Sequence, residues 1–144
     1  MDTPNESEVS AVLQMKSGVA GTFHVNADTL TRDQANFAIY GTEGALLLGD
    51  PNQFGCPVRL IRQPGGPEDV TELAFTHGYS EESRGLGAAD LAIAVLNSTA
   101  SRTDCQMAVH VLDVLSAMLQ PGTFHHIESS CMRPSPMPVN GFNS

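Results

Sequence analysis

The first three quarters of the chain have the pattern of short β-strands joined by turns. Apolar and polar residues alternate over 8–15, so that the apolar set falls on one face. A loop over 16–18 leads into a second such segment over 19–27, which predicts a β-hairpin. Because the later connections are also short, we expect antiparallel pairing throughout. The same criteria predict four further strands, over 35–40, 45–48, 58–62 and 70–75.

The period then changes from that of a strand to that of a helix. Apolar residues recur at helical spacing from Arg84 to Asn97, and Ser80 or Ser83 is the predicted N-cap. A second helix is predicted to start at an N-cap, Thr103, and to stop at Pro121–Gly122. The apolar stripe of this second helix comprises Met107, Val111, Val114, Leu115 and Met118.

These elements predict an α+β fold. We expect an open, mostly antiparallel sheet of six or seven strands with two helices on one face, the seventh strand being Phe124–Glu128. The sheet domain is expected to span 1–128. An extended tail over 129–144 is expected to follow, since its prolines lack the amide donor that a sheet interior requires. The uncovered sheet face carries large apolar side chains, so we expect a homo-oligomer formed through that face.

Composition and charge exclude several classes of partner. The chain has 144 residues, a length typical of one domain, and a net charge of −9 with Lys16 as its single lysine. Nucleic acid is not an expected partner, because binding it requires a basic face. No apolar run reaches the roughly 18 residues of a membrane span. The acidic N-terminus does not resemble a signal peptide, and Cys56, Cys105 and Cys131 are read as reduced thiols of a cytoplasmic protein.

Few residue patterns indicate chemistry. The glycine-containing stretch 85–90 does not follow a strand, and Asp90 stands where a dinucleotide fingerprint needs a small residue, so no cofactor site is predicted. His125 and His126 would point to opposite faces of a strand, and no cysteine pair has zinc-site spacing, so no metal is predicted. We expect His110 to be a helix-packing histidine satisfied by a hydrogen bond. No catalytic residue is predicted.

Several sequence blocks occur together in an order that points to one family. They are Ile39–Gly44, Asp50–Asn52, His77–Tyr79, Ser83–Asp90, His110–Val114 and Arg133–Pro136. In this order and spacing they resemble the C-terminal sheet domain of the glucose–fructose oxidoreductase and inositol dehydrogenase family (Gfo/Idh/MocA). The resemblance extends from about residue 8 to residue 138.

The resemblance implies a parent enzyme in which a Rossmann domain binds NAD or NADP and this domain walls the site of a sugar or polyol substrate. It also implies a dimer or tetramer made by sheet packing. The family's glycine-rich fingerprint, its Glu-Lys-Pro motif and its Asp and His pair are missing from this sequence, so we expect the chain to be inactive alone. The alternative is a stand-alone binding or scaffold module that reuses the sheet domain. An in-frame Rossmann domain encoded upstream would distinguish the two.

The densest polar run, 76–84, joins the last predicted strand to the first helix. If this domain contacts substrate, we expect His77, Tyr79 and Arg84 to do so. Tyr79 can pack against a sugar and hydrogen-bond its hydroxyl, and Arg84 can hold a carboxylate in a bidentate fork. The alternative is a solvated loop in which Arg84 pairs with Glu81 or another acid at the helix start.

Overall fold

The protein is described from a computed structural model that covers residues 6–30, 37–51, 53–66, 68–81, 84–139 and 141–143. The α+β class is confirmed, with antiparallel strands and two α-helices. The strands are β1 Glu8–Gln14, β2 Ala20–Asn26, β3 Phe37–Gly41, β4 Gly44–Leu48, β5 Arg59–Arg62 and β6 Val70–Glu72. The helices are α1 Leu86–Asn97 and α2 Cys105–Met118, and a 3₁₀ turn covers Gly141–Asn143.

The chain divides into two compact units. The first, residues 1–32 and 103–133, contains β1, β2 and α2, and the second, residues 33–102 and 134–144, contains the other strands and α1. The six strands accordingly form two sheets, β1–β2 and β3–β4–β5–β6. The boundary expected at residue 128 between domain and tail stays a prediction.

The first unit is a hairpin covered by a helix. Gly18 takes the left-handed conformation, with φ 89°, that the turn between β1 and β2 requires. The register pairs Ala11 with Phe23 on one face and Ser10 with His24 on the other, so the hairpin has an apolar and a polar face. Helix α2 packs against β1. Since a two-stranded sheet is marginal by itself, this helix supplies packing that the hairpin needs.

Two predictions for α2 and one for the segment after it are wrong. The N-cap is Asp104, not Thr103, and Asp104 Oδ1 accepts a hydrogen bond from the backbone N of Met107 at 2.8 Å. His110 is not fully satisfied, because its Nδ1 is buried without a hydrogen-bond partner among the described residues. The segment Phe124–Glu128 does not form a strand.

The second unit contains the four-stranded sheet, and its register sets two faces. Cross-strand partners lie on the same side, so both faces can be assigned from the pairing. The first, called the Ile39 face, carries Phe37, Ile39, Leu46, Leu48 and Leu60. The second, called the Tyr40 face, carries Ala38, Tyr40, Ala45, Leu47, Ile61 and Val70. Both faces are therefore largely apolar. The predicted β3 residue Ala35 lies outside the described residues.

Helix α1 starts two residues later than predicted. Gly85 is its N-cap, with φ 98° and no side-chain hydrogen bond, so the prediction of Ser80 as the cap is wrong; Ser83 lies outside the described residues. The helix has a single charged residue, Asp90, and that residue is buried. Neither helix of the described chain has the length and hydropathy needed to cross a bilayer.

Candidate functional site

Asp90 is the one buried polar or charged residue in the described part of the chain, with 5% of its surface exposed. It lies one helical turn before Ala94 on the inner side of α1. Its Oδ2 accepts hydrogen bonds from the backbone N of Arg102 at 2.7 Å and from Ser101 Oγ at 3.1 Å. Its Oδ1 pairs with Arg102 Nη1. We call these three residues the Asp90 clasp, because they fasten α1 to the connection that follows it.

The clasp holds the carboxylate in its ionised form. The backbone amide of Arg102 lowers the pKa of Asp90 below its ordinary 3.8, and the hydroxyl of Ser101 and the guanidinium of Arg102 act in the same direction. Burial acts in the opposite direction on this pKa but does not prevail. An ionised carboxyl is a poor general acid, and its lowered pKa also makes the Asp90 carboxylate a weak general base at neutral pH, so the clasp fits a structural role better than an acid–base one.

Arg102 and His77 both bind the chain's last residues. We call the described residues 134–139 and 141–142 the carboxyl-terminal segment. Arg102 Nε donates to the carbonyl of Pro136 at 3.4 Å, and His77 Nε2 lies 3.0 Å from the carbonyl of Met137. A carbonyl oxygen only accepts, so His77 Nε2 carries a proton. In the neutral ring, His77 Nδ1 then accepts from Thr76 Oγ1, 2.7 Å away.

Tyr79 binds the same segment further along. Its backbone is left-handed, with φ 64°, which is unusual for a residue other than glycine and turns the chain before α1. Its hydroxyl accepts from the backbone N of Phe142 at 3.4 Å, and the two rings lie 6.2 Å apart at a tilt of 48°. Gly141, beside Phe142, is buried against the Tyr79 ring.

The three predicted substrate residues therefore have different surroundings. His77 and Tyr79 are brought together by their contacts with the carboxyl-terminal segment. Arg84 lies two residues before α1 with an exposed side chain. Their role in substrate binding stays a prediction.

An open concavity of about 700 Å³ lies elsewhere in the same unit, on the Ile39 face. Its floor includes Ile39, Leu46 and Leu60, and its rim carries Glu43 and Arg62. None of the predicted substrate residues lines it. Its lining also includes Thr42 and Gln63 beside Glu43 and Arg62. Because the depression is largely open, it encloses little of a small ligand's surface and is a weaker candidate for a ligand pocket.

The described residues contain no cluster of side chains suited to thiol or metal chemistry. Cys56, Cys105 and Cys131 are free thiols. No three His, Cys, Asp or Glu side chains in the described ranges come together in a way that would hold a metal ion.

Comparison with protein-family models, with curated proteins and with solved structures finds no significant match to this chain. The candidate site is therefore argued from its own geometry.

Sequence reasoning missed Arg102 and the carboxyl-terminal segment as parts of this site. One signal was available for the clasp, since a lone charge in an otherwise apolar helix requires a buried partner. The partner lies 12 residues further along the chain, beyond the end of α1, where helical periodicity carries no information. Apart from the Phe142 ring, the segment makes these contacts through backbone carbonyls, which every residue type provides, and a backbone amide, which every residue type except proline provides.

Proposed function

We propose that this chain is the substrate-side and association domain of a cytoplasmic NAD(P)-dependent oxidoreductase that acts on a sugar or polyol. On this proposal a separate Rossmann domain binds NAD or NADP, and this chain by itself is inactive. The enzyme class comes from the sequence resemblance. The association role is supported by the apolar surface of the four-stranded sheet, and this single observation carries most of the weight.

The Tyr40 face has the character of an interface. Tyr40 is 80% exposed at the edge strand, and Val70 is 40% exposed at the opposite edge. Ala45 and Ile61, between them, are only half-buried. Large aromatic and aliphatic side chains in one continuous row of a sheet face form the kind of patch that marks a protein–protein contact.

The energetics favour a second copy as the partner. Burying one aliphatic or aromatic side chain of this size contributes about 1.5–3 kcal/mol, and a two-fold contact buries each of them twice. Sheets pack face to face in many proteins, with strands roughly aligned.

The net charge of −9 opposes the association of two copies. That repulsion is not concentrated on this face, however. The charged residues of the Tyr40 face, Arg59 and Glu72, have opposite signs, and Arg59 Nε lies 4.0 Å from Glu72 Oε2.

The loop that carries His77 and Tyr79 is the part of the chain best suited to the substrate side. An imidazole N–H and a phenol provide a donor, an acceptor and an aromatic surface, which are the groups that bind a sugar hydroxyl and the C–H face next to it.

A matched pair of lysine variants tests the association role. Tyr40→Lys places a charge on the Tyr40 face, and Val12→Lys places the same charge at an equally exposed strand position, 81%, on the polar face of the hairpin. We expect Tyr40→Lys to weaken self-association by at least roughly tenfold in sedimentation equilibrium, since an unpaired charge would be desolvated in the contact. Val12→Lys should leave the dissociation constant unchanged.

Equal dissociation constants for the two variants would place the interface elsewhere and remove the main support for the proposal. Micromolar binding of NAD or NADP to this chain alone would overturn the assignment of the nucleotide to a separate domain.

A further inference from the structure

The carboxyl-terminal segment occupies the hydrogen-bonding groups of the two side chains best suited to a sugar or polyol. We propose that this segment is a strap over His77 and Tyr79, and that a small molecule can take over the hydrogen bonds of His77 Nε2 and the Tyr79 hydroxyl only when the strap lifts. The inference rests on the proposed function in one respect, namely that His77 and Tyr79 are the groups a ligand would use.

Among the described residues, three attachments spread along the strap hold it to the rest of its unit. The carbonyl of Pro136 accepts from Arg102 Nε, and the carbonyl of Met137 accepts from His77 Nε2. Further on, the backbone N of Phe142 donates to the Tyr79 hydroxyl while the rings of Phe142 and Tyr79 pack together. The clasp takes part because the guanidinium that binds Pro136 is itself fixed by Asp90.

The attachments are suited to opening and closing. Each includes a single hydrogen bond, two of these three bonds are 3.4 Å long, and His77 is exposed. Net contributions of such bonds are modest, so the strap is held without being locked. Prolines at 134, 136 and 138 restrict the free segment to extended conformations, which lowers the conformational entropy lost when it docks.

Gly141 is the position on which the closed strap depends most. Its φ of +67° is left-handed, and a Cβ at this position would collide with the ring and hydroxyl of Tyr79. Both reasons exclude alanine from the closed arrangement. Gly122 offers a matched comparison, since its φ is +75° but a Cβ there would meet no atom within 4 Å.

Chemical modification of the full chain measures strap opening directly. Tetranitromethane nitrates accessible tyrosines, and diethyl pyrocarbonate acylates accessible histidine nitrogens; peptide mass spectrometry gives the rate at each residue. His24, on the exposed polar face of the hairpin and outside the proposed association face, serves as the internal reference. We expect Gly141→Ala to raise the rates at Tyr79 and His77 roughly fivefold over wild type, as loss of the strap's contacts predicts. Gly122→Ala should leave both rates unchanged.

A second variant distinguishes strap opening from a general loss of structure. Phe142→Ala removes the ring that covers Tyr79 and leaves the glycine in place. It should raise the Tyr79 rate while the His24 rate stays at its wild-type value.

Unchanged rates at Tyr79 and His77 in both Gly141→Ala and Phe142→Ala would overturn the strap. An equal rise in Gly122→Ala would do the same, because it would trace the effect to backbone strain in general. The experiment needs no substrate and does not depend on association, so its failure is distinct from a failure of the proposed function.

Discussion

Asp90 shows how far a single residue can be interpreted from sequence. Its place as the single charge of an otherwise apolar helix indicates that it needs a buried partner. The structure supplies Arg102 and Ser101 as that partner. The choice of partner depends on where the chain turns after α1, at Ser98 with its left-handed φ of 53°, and serine there gives no turn signal as strong as glycine would.

Replacing the carboxylate of the clasp tests its role in stability. Asp90→Asn keeps the shape but removes the charge that Arg102 requires. We expect it to lower the free energy of unfolding by about 2–3 kcal/mol in urea at neutral pH. Asp113→Asn makes the same chemical change at an exposed position of α2, where a change within about 0.5 kcal/mol is expected. Equal losses in the two variants would contradict the role of the clasp.

The difference between wild type and Asp90→Asn should also depend on pH. Because the pKa of Asp90 is lowered in the folded state, its contribution is fully present above the unfolded pKa of about 3.9 and is lost as the pH falls through the folded pKa. The two unfolding free energies should therefore converge as acid is added. If the difference in unfolding free energy between wild type and Asp90→Asn stayed constant down to the lowest pH at which the protein is folded, the charge of Asp90 would not be the cause of that difference.

At the scale of elements, periodicity located the strands and helices better than it located their ends. Alternation placed β1 and β2 within a residue of their limits. The start of α1 was misjudged because a left-handed glycine, rather than a hydroxyl side chain, begins it. The cap of α2 was misplaced by one residue because Thr103 and Asp104 are both good caps, and which one precedes the first helical turn is decided by the backbone.

The α2 cap gives a test at this scale. Asp104→Ala removes the acceptor for the Met107 amide and should destabilise the protein by about 1 kcal/mol in thermal or urea unfolding. Asp104→Asn preserves a side-chain oxygen at the same place, so we expect the free energy of unfolding to change by only about 0.3 kcal/mol. If asparagine is as harmful as alanine, the aspartate acts through something other than this cap.

At the scale of the whole molecule, the class of the fold followed from the sequence but the division of its strands did not. Alternation shows which residues share a face, not which strand lies beside which, so one sheet and two sheets have the same pattern. What the pattern did indicate is that more than one sheet face is apolar. In the described chain Ala94 is the one buried hydrophobic residue and Asp90 the one buried polar residue, while Tyr40 and many aliphatic side chains remain exposed. A partner for those faces is the simplest way to remove them from water.

The molar mass of the wild-type chain in solution tests this account most directly. Size-exclusion chromatography with light scattering, at micromolar concentration, should give at least twice the chain mass of 15.3 kDa, with the dimer dissociating on dilution. A monodisperse species at 15.3 kDa over the whole concentration range would contradict association through an apolar sheet face.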